Sequence, residues 1–459
     1  MKKVCLIVDN PLRDLEGITL IAWHLAQKKI KSYVVPMYCQ AFDIIAIKPD
    51  LVVTNYLRPN NIELLKRYKK ENIKICILDT EGSPGKNIQN FAKFTSQIIE
   101  RNLVDLYFLW GKDQYKAFKR YKLFDDNILK ITGCPRYDFC TKPYRQSLPK
   151  INHNKPFILI NTTFPVGNPK FTKNSKSEAQ AMIDMGYSKN FAKQYAHDSL
   201  QAHKKLIKII SKVCKKLPDL NFILRPHPFE SKRPYETLLR HTNFEINQTA
   251  SVMEWLNACE LLIHLNCQTA IEATMMGKEP ISIEWINTPV LKTEGPPGNI
   301  SHSPKSFNEL VDLIINRDKL NPTIEMKKER QKLINSRLFK NDGRSSLRAS
   351  EFIYESLIKS KNNFQKLDLN QVNWRFKYKQ FARELLGFDL FHKIRKFVQG
   401  EKAEFRRNEK SFHFNELCQI VQRLNNIDKK IKTIKVKRKS DKVLSSNKLF
   451  SKNSFEISS

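Results

Sequence analysis

The sequence predicts an α/β protein with two parallel-sheet domains in tandem, followed by a basic and mainly helical extension. Short β-branched runs alternate with longer amphipathic segments, which is the pattern of parallel strands separated by helices. A basic, proline-containing linker at 142–156 interrupts the alternation once and divides it into two sets. The chain has 459 residues, enough for two domains, because single cores stop growing beyond about 250–300 residues.

Six apolar runs predict the strands of a first Rossmann-like domain, which we assign to residues 1–150. The runs are VCLIV (4–8), SYVVP (32–36), LVVTN (51–55), KICILD (74–79), DLYFLWG (105–111) and ILKITG (128–133). The segments between them have the apolar spacing of amphipathic helices. We therefore expect this half of the chain to form one parallel sheet with crossover helices.

Five further runs predict a second Rossmann-like domain at residues 151–360. They are FILINTT (157–163), NFILRPHP (221–228), FEIN (244–247), LLIHLN (261–266) and PISIEW (280–285). A helix at about 346–359 is expected to complete this domain. Two such domains in tandem should face a cleft, and their ligands should bind at the carboxyl ends of the strands.

The extension at 361–459 is basic, with 24 Lys and Arg against 10 Asp and Glu. Within it, 374–398 interleaves aromatic and basic residues at helical spacing. Such a helix either lies on an anionic membrane surface or packs on its own domain, and the sequence leaves both open. Residues 429–459 are rich in Lys and Ser, which predicts disorder.

The formal net charge of +34 favours anionic partners such as nucleotide phosphates, anionic lipid or an acidic polymer. The nine cysteines form no CxxC pairs, so neither a zinc site nor a disulfide framework is indicated. No apolar stretch reaches the roughly 20 residues that a membrane-spanning helix needs. These features predict a cytoplasmic protein, free or peripheral on the inner face of the membrane.

The segment RPHP (225–228) directly follows a predicted strand of the second domain. The two prolines hold His227 rigidly at the end of the sheet, and Arg225 adds a fixed cation. A guanidinium and an imidazole at that edge can bind the phosphates or ribose of a nucleotide. The alternative is an ordinary strand exit in which the histidine is satisfied internally.

A second candidate site follows the strand that ends at His264. Here the chain turns sharply into a helix whose start carries Asn266, Gln268 and Thr269, and a helix N-terminus attracts anions. Glu272 lies one turn further, where its carboxylate can accept from ribose hydroxyls. The alternative is that Thr269 and Asn266 only cap the helix.

In the first domain, Asp79 and Glu81 follow the strand KICIL and precede a loop with two glycines. A carboxylate at a strand end can act as the general base of a transfer reaction. The alternative is a capping Asp79 and a solvated Glu81. Other polar residues at predicted strand ends are candidate cleft contacts; they are Asn10, Arg13, Asn161, Thr162, Thr163 and His264.

Several common motifs are absent from the sequence, namely GxxxxGK[ST], GxGxxG, HExxH and a DxD triplet. We therefore expect no cofactor and no required metal. Without a metal, a departing phosphate has to be stabilised by Arg225, His227 and a helix N-terminus.

The motifs ILDTEG, TGCPRYD, ILINTTFP, RPHPFE and HLNCQTAIEATMMGKEPISI occur in that order within residues 1–350. Together they resemble the bacterial surface carbohydrate biosynthesis protein family, a GT-B-like group. More distantly, the acidic motif and the His-Pro motif are similar to those of sialyltransferases and Kdo transferases that use CMP-sugars. That resemblance implies Glu81 or Asp79 as the base and His227 as the nucleotide contact, although Thr80 stands where those families have their first acidic residue.

The resemblance implies a metal-independent glycosyltransferase that moves a sugar from a nucleotide-activated donor to a surface polysaccharide or a lipid-linked acceptor. Two similar enzyme classes remain open, namely CDP-glycerol-type polyol-phosphate transferases and UDP-sugar 2-epimerases. A nucleic-acid-binding or scaffolding protein is the alternative that is not an enzyme. It is disfavoured because the sequence carries no nucleic-acid-binding motif.

Overall fold

The computed structural model describes residues 1–80, 88–184, 187–292, 296–358, 373–400, 404, 407–428, 433–438 and 442–459. These residues form two compact units. The first unit holds the chain up to residue 147 together with residues from 334 to 459, and the second holds residues 148–333. Each unit contains its own sheet and its own hydrophobic core.

The sheet of the first unit has a parallel centre. Its parallel strands are β1 (Lys3–Val8), β2 (Lys31–Pro36), β3 (Leu51–Thr54), β4 (Lys74–Ile77), β5 (Leu106–Leu109) and β6 (Leu129–Ile131), in the spatial order β2-β1-β3-β4-β5-β6. Each overlaps a predicted run. The central strands are buried at successive residues, which explains why they are continuous apolar runs and do not alternate.

Helices connect or follow these strands. They are α1 (Pro11–Gln27), α2 (Gln40–Ile47), α3 (Ile62–Lys70), α4 (Ile88–Ser96), α5 (Lys112–Arg120) and α6 (Tyr144–Ser147). Asn10 caps α1 by accepting a hydrogen bond from the backbone N–H of Leu12 at 3.1 Å. A Cβ atom added to Gly17 would lie 2.8 Å from the backbone nitrogen of Arg136, so the glycine lets α1 approach the loop after β6 closely.

The second unit has a five-stranded, fully parallel sheet. Its strands are β7 (Phe157–Asn161), β8 (Asn221–Arg225), β9 (Phe244–Ile246), β10 (Leu261–His264) and β11 (Pro280–Ser282), in the order β11-β10-β7-β8-β9. Its helices are α7 (Ser175–Asp184), α8 (Lys189–Lys216), α9 (Val252–Ala258), α10 (Thr269–Met275), α11 (Pro296–Asn299), α12 (Phe307–Ile315) and α13 (Ile324–Lys332). All five predicted strands are present, and the α/β class with two Rossmann-like units is confirmed.

The helix that was expected to complete the second domain belongs to the first unit instead. This helix, α14 (Ser345–Ile358), receives its N-terminal cap from the buried carboxylate of Asp138, which accepts from the backbone N–H groups of Ser345 and Ser346 at 2.8 and 2.7 Å. Burial raises the pKa of Asp138 to about 6. The predicted boundary at residue 360 therefore differs from the observed division at 334, because α14 is tied to the loop after β6.

The extension is mainly helical, as predicted, with α15 (Trp374–Gln399), α16 (Phe414–Ile427) and α17 (Lys442–Ser446). The prediction of disorder at 429–459 is wrong for the part that the structure describes. Two strands, β12 (Lys435–Lys437) and β13 (Phe455–Ser458), extend the first sheet beyond β2, and β13 pairs with β2 in antiparallel register. The added strand covers the edge of β2, which would otherwise offer unpaired backbone groups.

The turn before β13 is held by a buried carboxylate. Asp43 accepts hydrogen bonds from the backbone N–H of Ser451 at 2.7 Å, from its hydroxyl at 2.6 Å, and from the hydroxyl of Ser454. Burial raises the pKa of Asp43 to about 6. These donors come from residues more than 400 positions away in sequence, so the last residues are an integral part of the first unit.

We predict that Ile457→Ala lowers the stability of the protein by about 2–5 kcal/mol, because the side chain is fully buried and its removal leaves a cavity. The thermal midpoint, followed by circular dichroism, should fall by several degrees. Lys435→Ala, at an exposed position on the neighbouring strand β12, is the matched control and should leave the midpoint unchanged. Equal midpoints for wild type and Ile457→Ala would contradict the docking of β13.

Candidate functional site

Three neighbouring strands of the second unit end in polar residues at the same level. The strand ladder pairs His264 of β10 with Asn161 of β7, and Asn161 with Arg225 of β8. All three side chains are buried. The carboxyl edge of a parallel sheet is where ligands bind in open α/β folds, so the predicted residues do converge at a suitable place.

A carboxylate that the sequence analysis did not single out organises this edge. Glu230 is fully buried, and it accepts hydrogen bonds from the hydroxyl of Thr162 at 2.8 Å, the backbone N–H of Phe164 at 2.6 Å and the hydroxyl of Tyr235 at 2.6 Å. Burial raises the pKa of Glu230 to about 7. The residue therefore ties the loop after β8 to the end of β7. Its place in the RPHPFE motif was the only signal in the sequence.

His227 is held by the same arrangement. Its backbone N–H donates to the hydroxyl of Thr162 at 3.3 Å, and its Nδ1 accepts from the backbone N–H of Phe229 at 3.2 Å. Because Nδ1 acts as an acceptor, the neutral ring carries its proton on Nε2. The residue is partly exposed, so an Nε2–H donor at this position can reach a phosphate or hydroxyl oxygen of a ligand.

Arg225 is a buried cation that forms no ion pair with an acidic residue among those that the structure describes. The residue is 8% exposed, and its Nη2 donates to the backbone oxygen of Ala250 at 2.8 Å. Within the described part of the chain, its Nε has no hydrogen-bond partner and no carboxylate forms an ion pair with it. The carboxylate of Glu254 is near enough to raise the pKa of Arg225 slightly against the effect of burial. That carboxylate, however, accepts a hydrogen bond from the backbone N–H of Ser251 at 3.1 Å.

Burial lowers the pKa of Arg225 only to about 10, so the guanidinium stays charged at neutral pH. A buried charge is costly unless a counter-charge or a set of hydrogen bonds compensates it. The single backbone carbonyl bonded to Arg225 compensates it incompletely. The side chain is therefore prepared to bind an anion.

Asn161 and Thr269 continue the edge next to Arg225. The amide of Asn161 donates to the hydroxyl of Thr269 at 3.1 Å, which orients that hydroxyl at the start of α10. Asn266, in the turn before α10, has a left-handed backbone with φ of 50°, a conformation that asparagine tolerates well. Gln268 occupies the N-cap position, and its side chain does not cap the helix.

The anion attraction expected from the start of α10 is limited, because the helix has only seven residues. The side chains of this edge therefore matter more than the helix dipole. Glu272 is buried one turn into α10, and its predicted contact with ribose hydroxyls remains a prediction.

His264 supports the turn internally. The ring is fully buried, its Nδ1 accepts from the backbone N–H of Cys267 at 3.1 Å, and its Nε2 lies 2.9 Å from the hydroxyl of Ser301. Burial lowers its pKa to about 3, so it is neutral at physiological pH. Because both ring nitrogens are used within the protein, the expectation that His264 contacts a ligand is replaced by a structural role.

Thr163 also stabilises this edge, since its hydroxyl donates to the backbone oxygen of Leu265 at 2.7 Å. Thr162 is buried between Glu230 and His227. These two threonines were predicted as cleft contacts. The structure gives both a role in fixing the ends of β7, β8 and β10.

In the first unit, Asp79 is buried at the end of β4 and has a left-handed backbone with φ of 54°. Its carboxylate accepts from the hydroxyl of Tyr107 and the amide of Gln114, both at 3.0 Å. Its backbone oxygen accepts from the indole N–H of Trp110 at 2.9 Å. These bonds suit an anchor of the turn better than a base, and Glu81 lies outside the described residues.

A charged cluster occupies the carboxyl end of β1. Arg13 donates to Asp14 at 2.7 Å and to Asp9 at 3.2 Å, and it lies 3.4 Å from the hydroxyl of Thr80. The ammonium of Lys410 lies 2.8 Å from Asp9. Lys410 belongs to the extension, so this contact over 401 positions had no signal in the sequence.

In the part of the chain that the structure describes, no group of three or more His, Cys, Asp or Glu side chains is arranged to hold a metal ion. The independence from metal that the sequence indicates remains a prediction. It requires that Arg225, His227 and neighbouring donors alone neutralise a bound phosphate.

No protein-family model and no curated protein sequence matches the chain. Solved structures resemble it in fold. Staphylococcus aureus MnaA with UDP is 14% identical, with 79% of this chain and 99% of that chain covered and a TM-score of 0.50. The wall teichoic acid polymerase TagF is 12% identical, with 78% and 89% covered and a TM-score of 0.50. The UDP-GlcNAc 2-epimerase of Methanocaldococcus jannaschii, solved with UDP-GlcNAc and UDP, is 12% identical, with 77% and 99% covered and a TM-score of 0.47.

At these identities the likeness concerns the fold alone. The likeness to MnaA and TagF extends over more than three quarters of this chain and therefore includes both Rossmann-like units. The fold is of the GT-B type.

We predict that Glu230→Gln changes how stability depends on pH. The pKa of Glu230 is raised in the folded state, so the folded protein binds the proton more tightly between about pH 4.5 and 7, and stability falls as the pH rises through this window. Relative to the variant, wild type should lose about 2–3 kcal/mol between about pH 5 and about pH 8. Thermal midpoints of the two proteins across this range measure the difference. Parallel pH profiles would contradict a titrating Glu230.

Proposed function

We propose that the protein is a glycosyltransferase that takes a sugar from a nucleotide-activated donor and moves it to a surface polysaccharide or a lipid-linked acceptor. The donor's phosphate binds at the carboxyl edge of the second sheet, beside Arg225 and His227. The proposal rests mainly on one observation, the buried and incompletely compensated guanidinium of Arg225.

The surroundings of Arg225 fit a nucleotide phosphate. A guanidinium forms paired hydrogen bonds with phosphate oxygens, and the Nε2–H of His227 adds a neutral donor. The Thr269 hydroxyl, oriented by Asn161, is a third group at this edge. A carboxylate ligand is a weaker fit because it offers fewer oxygens than a phosphate to the donors of Arg225, His227 and Thr269.

The proposed chemistry uses these donors at the leaving group. The bond between the anomeric carbon and the phosphate oxygen breaks, and Arg225 and His227 stabilise the negative charge that forms on the phosphate. The acceptor hydroxyl forms the new bond to the anomeric carbon, and a carboxylate takes its proton. We assign that base to Glu81, since the carboxylate of Asp79 already binds Tyr107 and Gln114.

Polyol-phosphate transfer is the second candidate, and the fold shared with the TagF polymerase favours it. UDP-sugar epimerisation is a third. All three activities need a nucleotide phosphate site, so the identity of the bound nucleotide separates them. The similarity of the acidic and His-Pro motifs to CMP-sugar enzymes makes CMP the first nucleotide to test.

We predict that the protein binds a pyrimidine nucleotide without metal, and that His227→Ala weakens this binding about tenfold to a hundredfold, the usual worth of a hydrogen bond to a charged group. Arg225→Lys should weaken it by about tenfold or more, because the ammonium cannot form the paired bonds of a guanidinium. Calorimetric titrations with CMP, CDP, UDP and GDP, without and with Mg²⁺, measure these affinities.

His197→Ala is the matched control for that titration, because His197 is an exposed histidine of the same unit on α8. A preference for CMP supports a CMP-sugar donor, for CDP the polyol-phosphate reaction, and for UDP a hexose transferase or an epimerase. The proposal fails if none of the four nucleotides binds, or if His227→Ala binds as tightly as wild type.

We also predict that Glu81→Gln lowers transfer by about a hundredfold or more, the usual effect of losing a general base, while nucleotide affinity stays unchanged. Acceptor-dependent release of nucleotide from the donor measures the rate. Asp79→Asn should instead lower the thermal midpoint, because Tyr107 and Gln114 lose an anionic acceptor. A fully active Glu81→Gln variant would exclude Glu81 as the base.

A further inference from the structure

The helix α15 consists of two straight segments that meet at Gly387. This residue has φ of 72°, and a Cβ atom there would lie 2.8 Å from the backbone oxygen of Lys448. The next residue, Phe388, donates its backbone N–H to the same oxygen at 2.8 Å. Glycine is therefore required where α15 bends against the chain that leads to β13.

One side of α15 packs on the first unit. The rings of Phe388 and Phe391 each lie 5.3 Å from the ring of Phe42 on α2, and Glu384 forms an ion pair with Arg67 on α3 at 2.9 Å. The helix is thus fixed in place by contacts on its inner side. This confirms the packing alternative for that side only.

The opposite side of α15 exposes a row of large apolar side chains, which we call the apolar stripe. Its members are Trp374, Tyr378, Phe381, Leu385, Leu390, Ile394, Phe397 and Val398. Seventeen large apolar side chains are exposed in the described part of the chain, and eight of them lie in this one helix. Phe397 is 90% exposed and Tyr378 is 72% exposed, so these are whole side chains in solvent and not edges of a core.

The spacing of the stripe matches one face of a helix in each segment. The first four members follow one another at intervals of four, three and four residues, and the next three at intervals of four and three. A contiguous exposed apolar patch usually marks an interaction surface, whereas single exposed apolar residues are common on any protein.

Cations surround the stripe. Residues 373–400 contain seven Lys and Arg and two Asp and Glu, which gives 7 − 2 = +5. Five of the cations are exposed; they are Arg375, Lys377, Lys379, Lys393 and Lys396. One of the two acids, Glu384, is already paired with Arg67. The occupant of this surface therefore has to be apolar at its centre and anionic around it.

A bilayer that contains anionic lipid meets both requirements. Its acyl chains accept the apolar side chains, and its headgroups attract the flanking lysines. A second copy of the chain fits less well, because two surfaces of the same positive charge repel each other. Nucleic acid fits less well too, because the side chains of Leu385, Leu390 and Ile394 are aliphatic and cannot stack on bases.

No helix in the described ranges is long and apolar enough to cross a membrane. We propose that α15 docks the protein on anionic membranes, with the apolar stripe inserted at the level of the headgroups and the flanking lysines on the lipid phosphates. This docking does not depend on the proposed nucleotide site, and its test requires no nucleotide.

The test is co-sedimentation of the full chain with vesicles of phosphatidylcholine that contain phosphatidylglycerol, compared with vesicles of phosphatidylcholine alone. Wild type should bind the anionic vesicles, and added salt should weaken the binding. A stripe variant with Phe381→Ser, Leu385→Ser, Ile394→Ser and Phe397→Ser should bind about tenfold more weakly or worse. A charge variant with Lys377→Gln, Lys379→Gln, Lys393→Gln and Lys396→Gln should also bind at least about tenfold more weakly, because lysines near the surface are attracted to the anionic headgroups.

The matched control is Ile315→Ser with Ile324→Ser, which removes two exposed apolar side chains from the second unit and should bind like wild type. Thermal midpoints equal to wild type confirm that the variants fold, as expected for exposed positions. The proposal is overturned if wild type does not bind anionic vesicles, or if the stripe variant binds as well as wild type. It is also overturned if light scattering finds a wild-type dimer that the stripe variant dissolves, because a second copy then covers the stripe.

Discussion

A buried charge has to be compensated by a counter-charge or by hydrogen bonds. The carboxyl edge of the second sheet contains two buried ionisable side chains, Glu230 and Arg225, which differ in how many hydrogen bonds they form. Glu230 is saturated by donors from the ends of β7 and β8 and from Tyr235, so its carboxylate fixes the loop that carries His227. Arg225 lies at the end of β8 with one carbonyl and no acidic partner in the described part of the chain. We therefore propose that Glu230 fixes this edge and that Arg225 binds an anionic ligand there.

In the first unit, three buried carboxylates that accept several hydrogen bonds have a structural role. Asp79 fixes the turn after β4, Asp138 caps α14, and Asp43 holds the turn before β13. Two of these three contacts bring back chain that follows the second unit in sequence, and the Lys410–Asp9 pair brings the extension to the end of β1. The first unit is therefore completed only when residues 334–459 have returned to it. Truncation of the extension would expose the edge of β2 and the ring of Phe42 on α2, which Phe388 and Phe391 of α15 cover.

The sequence was most informative where structure is local. Strands buried on both faces are continuous apolar runs, so all eleven parallel strands of the two sheets could be predicted from the sequence. What could not be found depends on distant partners. FEIS (455–458) is short and follows a Lys-rich stretch, and only pairing with β2 makes it a strand. Glu230 and His264 form hydrogen bonds with residues distant in sequence, Thr162 and Ser301. Their structural roles therefore could not be predicted from their neighbours in sequence.

The proposed function depends on the binding of a nucleotide phosphate by Arg225. A crystal structure of the full chain with the nucleotide that it binds most tightly tests this binding directly. We expect phosphate oxygens within hydrogen-bond distance of the Arg225 guanidinium, with His227 Nε2 on the same ligand. A nucleotide whose phosphates touch neither residue, or one bound at the first sheet instead, would contradict it.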